Sequence, residues 1–82
     1  VNKMIAINSV QPLDNYKLLL TFNTNESKVF DMNEYLDHGL FTQLKSKELF
    51  DTVRVSFDTI QWANGLDLCP EVLYEKSERI LE

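Results

Sequence analysis

Only one cysteine, Cys69, and one histidine, His38, occur in the chain. A lone cysteine cannot close an intramolecular disulfide, and a zinc centre needs about four nitrogen or sulfur ligands. Neither a disulfide framework nor a metal site is expected. Glycine and proline are nearly as scarce, two of each, which excludes collagen-like and low-complexity chains. No run of lysine or arginine is present. The 13 acidic and 8 basic residues leave a formal net charge of −5, and such a surface repels phosphate backbones. Direct nucleic-acid binding is therefore not expected. No apolar run approaches the roughly 20 residues of a membrane span. The opening VNKMIAINSV lacks the uninterrupted apolar core of a signal peptide. These absences predict a soluble protein of the reducing cytoplasm that has no cofactor and no membrane association.

What is present is a foldable composition. Hydrophobic residues make up 44% of the chain, and five Phe, three Tyr and one Trp supply the bulk of a core. That core is thin, because a chain of 82 residues buries only roughly 60–65% of the surface it exposes when unfolded. No repeat or linker interrupts the pattern, so residues 1–82 read as one domain.

Met4 to Val10 is apolar and β-branched, with Pro12 and Asp14-Asn15 behind it: a strand, then a turn. In YKLLLTF, Leu18, Leu20 and Phe22 share one face, and Lys17, Leu19 and Thr21 the other. The turn formers of NTNES precede a third strand in KVFDM, and the three strands suggest an antiparallel meander. At NEYLDHGL the period changes. Asn33 is placed to cap a short helix, and Gly39 to end it in a left-handed conformation. Phe41, Leu44, Leu49 and Phe50 continue at helical separations, with Ser46 as a further cap, which predicts one or two short helices. In TVRVSF, Val53, Val55 and Phe57 face one way. Asp58-Thr59 then reverses the chain into TIQWA, making a hairpin. Pro70 suits the first position of a last helix, whose stripe is Leu73, Ser77, Ile80 and Leu81. The whole predicts an α+β fold in two layers: an antiparallel sheet of four to five strands with two or three short helices.

The segment IQWANGLDLCPEVLY gathers the distinctive residues. Cys69 stands where a helix dipole favours a thiolate. It has no base beside it, and its segment is acidic, so it reads as a small, half-buried cap residue. His38 precedes Gly39 and reads as a helix-end residue. Asp31, Asp67 and Glu71 are the carboxylates suited to acid–base or metal chemistry. Asp31 and Asp67 equally suit backbone amides at helix starts, which is the reading taken. Asn64-Gly65 has the chemistry of a tight turn with positive φ. Trp62 and Tyr74 join apolar bodies to polar N–H and O–H handles. Trp62, Asn64, Gly65, Asp67 and Tyr74 therefore form the candidate ligand or partner surface. The sequence assembles no nucleophile, base and oxyanion donor, so no catalytic residue is assigned and an enzyme is not expected.

WANGLDLCPEVLY, preceded by VFDMNEYLDHGLFTQL and LFDTVRVSFDTIQW, resembles the small bacterial domain-of-unknown-function family 2442. The W-x-N-G-x-D-L-x-P-E-x-L-Y string is its most specific part. Two departures stand out: Ala63 follows Trp62 where the family usually has Pro, and the turn NTNE has no Gly, leaving Asn25 to adopt the left-handed conformation. The resemblance implies an α+β fold without assigned chemistry. It also implies gene pairs that look like toxin–antitoxin modules. On that basis the chain is expected to be a protein-interaction module, the acidic antitoxin-like member of a two-component pair, with a small basic protein as partner. The alternative is a small-ligand-binding domain with a pocket near Trp62, Asn64 and Tyr74. No charge lies between Met4 and Val10, so this strand, if at a sheet edge, predicts a homodimer as well.

Overall fold

The alternation read in YKLLLTF builds the centre of the molecule. The computed structural model describes residues 4–80. Three strands, β1 (Ile7–Leu13), β2 (Lys17–Phe22) and β3 (Ser27–Asp31), form the expected antiparallel meander. Leu18, Leu20 and Phe22 are all fully buried, and Phe30 of β3 lies opposite Leu18 on the same face. In the β2–β3 turn Asn25 has φ 69° and donates its N–H to the Phe22 carbonyl at 2.9 Å. Asparagine thus does here what glycine would do elsewhere.

The first strand is displaced from its expected place. It starts at Ile7 rather than Met4 and runs through Pro12 to Leu13. Proline is tolerated because β1 lies at the edge of its sheet, where a missing N–H breaks no ladder. The register also slips between Ile7 and Ser9, a bulge. A bulge and a proline both oppose edge-to-edge pairing. Residues 4–6 are held instead by the Asn23 side chain, which accepts from the Ala6 N–H (3.2 Å) and donates to the Met4 carbonyl (2.7 Å).

After β3 the chain makes two 3-10 turns, Asn33–Tyr35 and Gly39–Lys45, and the short helix α1 (Lys47–Phe50). Ser46 caps α1, accepting from the Leu49 N–H, as its position predicted. Asn33 is not the cap. The cap position of that turn is Met32, and Asp31 just before it accepts the Asn33 backbone N–H at 2.9 Å, while the Asn33 side chain donates to Asp31 and to the Asn15 carbonyl. Gly39 has φ 53°, but it begins its 3-10 turn rather than ending a helix, and His38 before it is extended and exposed.

A second, three-stranded sheet follows: β4 (Arg54–Ser56), β5 (Thr59–Gln61) and β6 (Asp67–Leu68). The β4–β5 turn falls on Phe57-Asp58, one residue earlier than expected. Both residues are left-handed, at φ 50° and 68°. A two-residue hairpin needs this primed geometry to match strand twist. Phe57 therefore leaves the strand and does not face inward with Val53. It is 97% exposed, Val55 is exposed too, and of the three only Val53 is buried.

Helix α2 (Pro70–Lys76) begins at Pro70 as predicted. It ends five residues short of the expected stripe. Ser77 turns extended, and Glu78–Arg79 form β7, which pairs with Lys28 and Val29 of β3. Leu73 and Ser77 are buried, Ile80 is 45% exposed, and Leu81 lies outside the described residues. The first sheet is thus β1-β2-β3-β7, and the fold is α+β with two antiparallel sheets where one was expected. Leu20, Phe22, Phe30, Leu44, Phe50, Trp62 and Leu73 belong to one hydrophobic core. Among the described residues no helix is long and apolar enough to cross a membrane.

Candidate interaction site

The five candidate residues do not converge on one spot. Trp62 is fully buried, and its Nε1 donates to the Phe50 carbonyl at 3.1 Å. Its backbone opens the β5–β6 loop: the Gly65 N–H reaches the Trp62 carbonyl and the Trp62 N–H reaches the Leu66 carbonyl, both at 2.9 Å. Gly65 takes φ 92°, a value that L side chains rarely adopt. Asn64 fixes the turn from outside, accepting from the Leu66 N–H (3.2 Å) and donating to Gln43 (2.8 Å). The Ala63 N–H donates to Thr52 Oγ1 at 3.0 Å, a bond that proline at this position would forfeit. Asp67 is exposed on β6 and caps no helix; the cap position of α2 is Cys69. Cys69 is exposed rather than half-buried, and its thiol lies 3.0 Å from a Glu71 oxygen. That thiol contact, followed by the residue's own backbone N–H, holds the Glu71 carboxyl below the usual range.

Tyr74 belongs to a different cluster, which the sequence reading missed. Its hydroxyl donates to Glu26 Oε1 at 2.5 Å. Thr24 donates to the same oxygen at 2.8 Å, and Arg79 grips Oε2 through Nε (3.2 Å) and Nη2 (2.9 Å). These partners, Tyr74 foremost, pull the Glu26 carboxyl down to about 2, and Glu26 in turn raises the Tyr74 phenol. Beneath them Lys28 is buried. Its Nζ sits 3.7 Å from the Tyr74 ring centroid and donates to the Tyr74 carbonyl at 2.7 Å. One signal could have exposed this cluster. Lys28 shares the inward face of β3 with Phe30, and a charge there requires partners. Every group in the cluster is engaged by another, so it latches α2 and β7 onto the β2–β3 hairpin rather than presenting reactive chemistry.

Two kinds of surface remain open. The first is acidic. Asp67, Glu71, Glu75 and Glu78 are all exposed along β6, α2 and β7. The ion pairs among the described residues are Lys45–Asp37, Lys47–Asp51 and Arg79–Glu26, so these four carboxylates have no cationic partner. The second is apolar. A groove of about 460 Å³ opens between Glu34, Tyr35, His38, Phe41 and Lys76. Tyr35 and Phe41 meet edge to face across 5.8 Å, and Leu40 beside them is exposed. Two smaller clefts open beside Lys17 and Tyr16. None of the three is lined by Trp62, Asn64, Gly65, Asp67 or Tyr74. Among the described residues no group of three or more His, Cys, Asp or Glu is arranged to hold a metal ion.

No curated protein and no solved structure matches the chain. The family model described as protein of unknown function (DUF2442) matches residues 7–79, nearly the full length, and the chain belongs to that family.

Proposed function

We propose that the chain is a protein-interaction module whose acidic C-terminal surface receives a basic protein, as the antitoxin-like member of a two-component pair. The observation that carries this reading is that four exposed carboxylates of β6, α2 and β7, Asp67, Glu71, Glu75 and Glu78, form no ion pair among the described residues. Unpaired charge of one sign steers an oppositely charged partner and tunes its on-rate. The net charge of −5 acts in the same direction. The Glu26 latch holds α2, which carries Glu71 and Glu75, and β7, which carries Glu78, so these three are presented on a fixed support.

Affinity capture with the chain as bait tests the reading. A small basic protein should be retained and should elute as salt is raised, since screening weakens exposed charge pairs. Joint reversal of Glu71, Glu75 and Glu78 to Lys should abolish its retention. A partner whose retention ignores both salt and these substitutions, or no basic partner at all, contradicts the reading.

A further inference from the structure

Phe57 stands apart from the other left-handed residues of the chain. Asn15, Asn25 and Asp58 are short polar residues that tolerate positive φ. Tyr16, at φ 60°, is compensated: its ring meets Phe50 edge to face at 5.3 Å, and its hydroxyl donates to the Lys45 carbonyl. Phe57 has φ 50°, is 97% exposed, and makes no ring contact among the described residues. The hairpin turn accounts for the positive φ at this position, and the Asp58 carbonyl beside it accepts the Ile7 N–H, but neither accounts for a phenylalanine whose ring lies in solvent. A large exposed aromatic ring that folding does not use points to a contact outside the fold.

The molecule also carries a receptor of matching chemistry. The groove beside Tyr35 and Phe41 offers aromatic walls; its polar lining is Glu34, His38 and Lys76, and of these Lys76 is exposed, forms no ion pair among the described residues, and is the lysine that an incoming carboxylate would meet. The hairpin tip offers the complement in adjacent positions: the Phe57 ring, then the exposed Asp58 carboxylate. Aromatic meets aromatic, and anion meets cation. The β1 edge that the sequence offered for self-association is blunted by its bulge and Pro12, and the Ile7 N–H is already bonded to the Asp58 carbonyl.

We propose that the chain self-associates by inserting Phe57 of one copy into the Tyr35–Phe41 groove of another, with Asp58 reaching Lys76. When both tip–groove pairs engage at once the contact is isologous and closes a two-fold dimer; when only one engages it is heterologous and builds a head-to-tail series. The inference goes beyond the reading of the acidic surface and does not rest on it, because purified protein alone decides it.

Sedimentation velocity over a concentration series is the experiment. Wild type should grow in mass with concentration. Phe57→Ala and Lys76→Glu alter exposed residues and should keep the fold, with Lys76→Glu melting slightly lower because Lys76 lies in the last turn of α2. Phe57→Ala should weaken association by roughly thirtyfold or more, as loss of a central interface residue does, and Lys76→Glu should weaken it by a similar factor because it sets like charge against Asp58. The decisive step mixes the two variants. Phe57→Ala keeps an intact groove and Lys76→Glu keeps an intact tip, so the mixture should form a one-to-one complex that neither variant forms alone. A wild type that stays monomeric overturns the proposal, even if Phe57 then proves to engage a vesicle or another protein. A wild-type oligomer indifferent to Phe57→Ala, or a mixture that stays monomeric, overturns it as well.

Discussion

Trp62 fills the core and directs its single polar hydrogen at the Phe50 carbonyl. Removing it should be severe. Trp62→Ala is expected to cost about 3–5 kcal/mol, the range for a large aromatic taken from a packed interior. Trp62→Phe keeps most of the apolar volume but removes that donor, leaving the Phe50 carbonyl only the Val53 N–H at 3.4 Å, so about 0.5–1.5 kcal/mol is expected. Urea denaturation gives both values, and an unchanged midpoint for Trp62→Ala would show that the ring is not part of the core. Cys69→Ser should fall within about 0.5 kcal/mol of wild type, because the side chain is exposed and serine suits a cap position. A larger loss in the same assay would mean that the thiol contact with Glu71 matters to the fold. Several single residues were legible in the sequence. Asn25, Gly65, Ser46 and Pro70 sit where their backbone chemistry sends them. Phe57 was not legible, since nothing in a phenylalanine side chain announces a left-handed turn position.

The elements that close the structure are joined by partners far apart in sequence. Tyr74 and Arg79 lie 48 and 53 positions from Glu26. No local window contains both ends of such a contact, which is why the expected helix ran on toward Leu81. Pairing of β7 with β3 and the Arg79–Glu26 bond overrode the apolar stripe. The amphipathic strand β2 was readable for the opposite reason, since its signal is its own alternation. The latch makes a pH prediction. Glu26 titrates near 4.5 when unfolded and is held down to about 2 in the fold by Tyr74, Thr24 and Arg79. A carboxyl with a depressed folded pKa stabilises fully above its unfolded value, and the contribution is lost as pH falls toward the folded one. Thermal midpoints of wild type and Glu26→Gln should therefore differ above pH 5 and draw together between about pH 4.5 and pH 2. A gap that stays constant across that window would mean that the Glu26 charge is not what the latch uses.

At the scale of the molecule, two antiparallel sheets and their short helices enclose one core, while charge and strain are left on the outside. The α+β class was legible because strand and helix periods alternate along the chain. The division into two sheets was not, because it depends on where Phe57-Asp58 turns and on which edge β7 joins. The proposed association carries a cost to stability, and Phe57 is where the two demands separate. Phe57→Asn puts a residue suited to positive φ at the hairpin tip, so roughly 0.5–1 kcal/mol of backbone strain should be relieved. The same change removes the ring from the contact surface. The most direct measurement takes wild type and Phe57→Asn together, reading the melting midpoint in dilution and sedimentation in concentrated solution. The variant should melt higher and associate less. A variant that melts no higher and associates as well as wild type would contradict the proposed association.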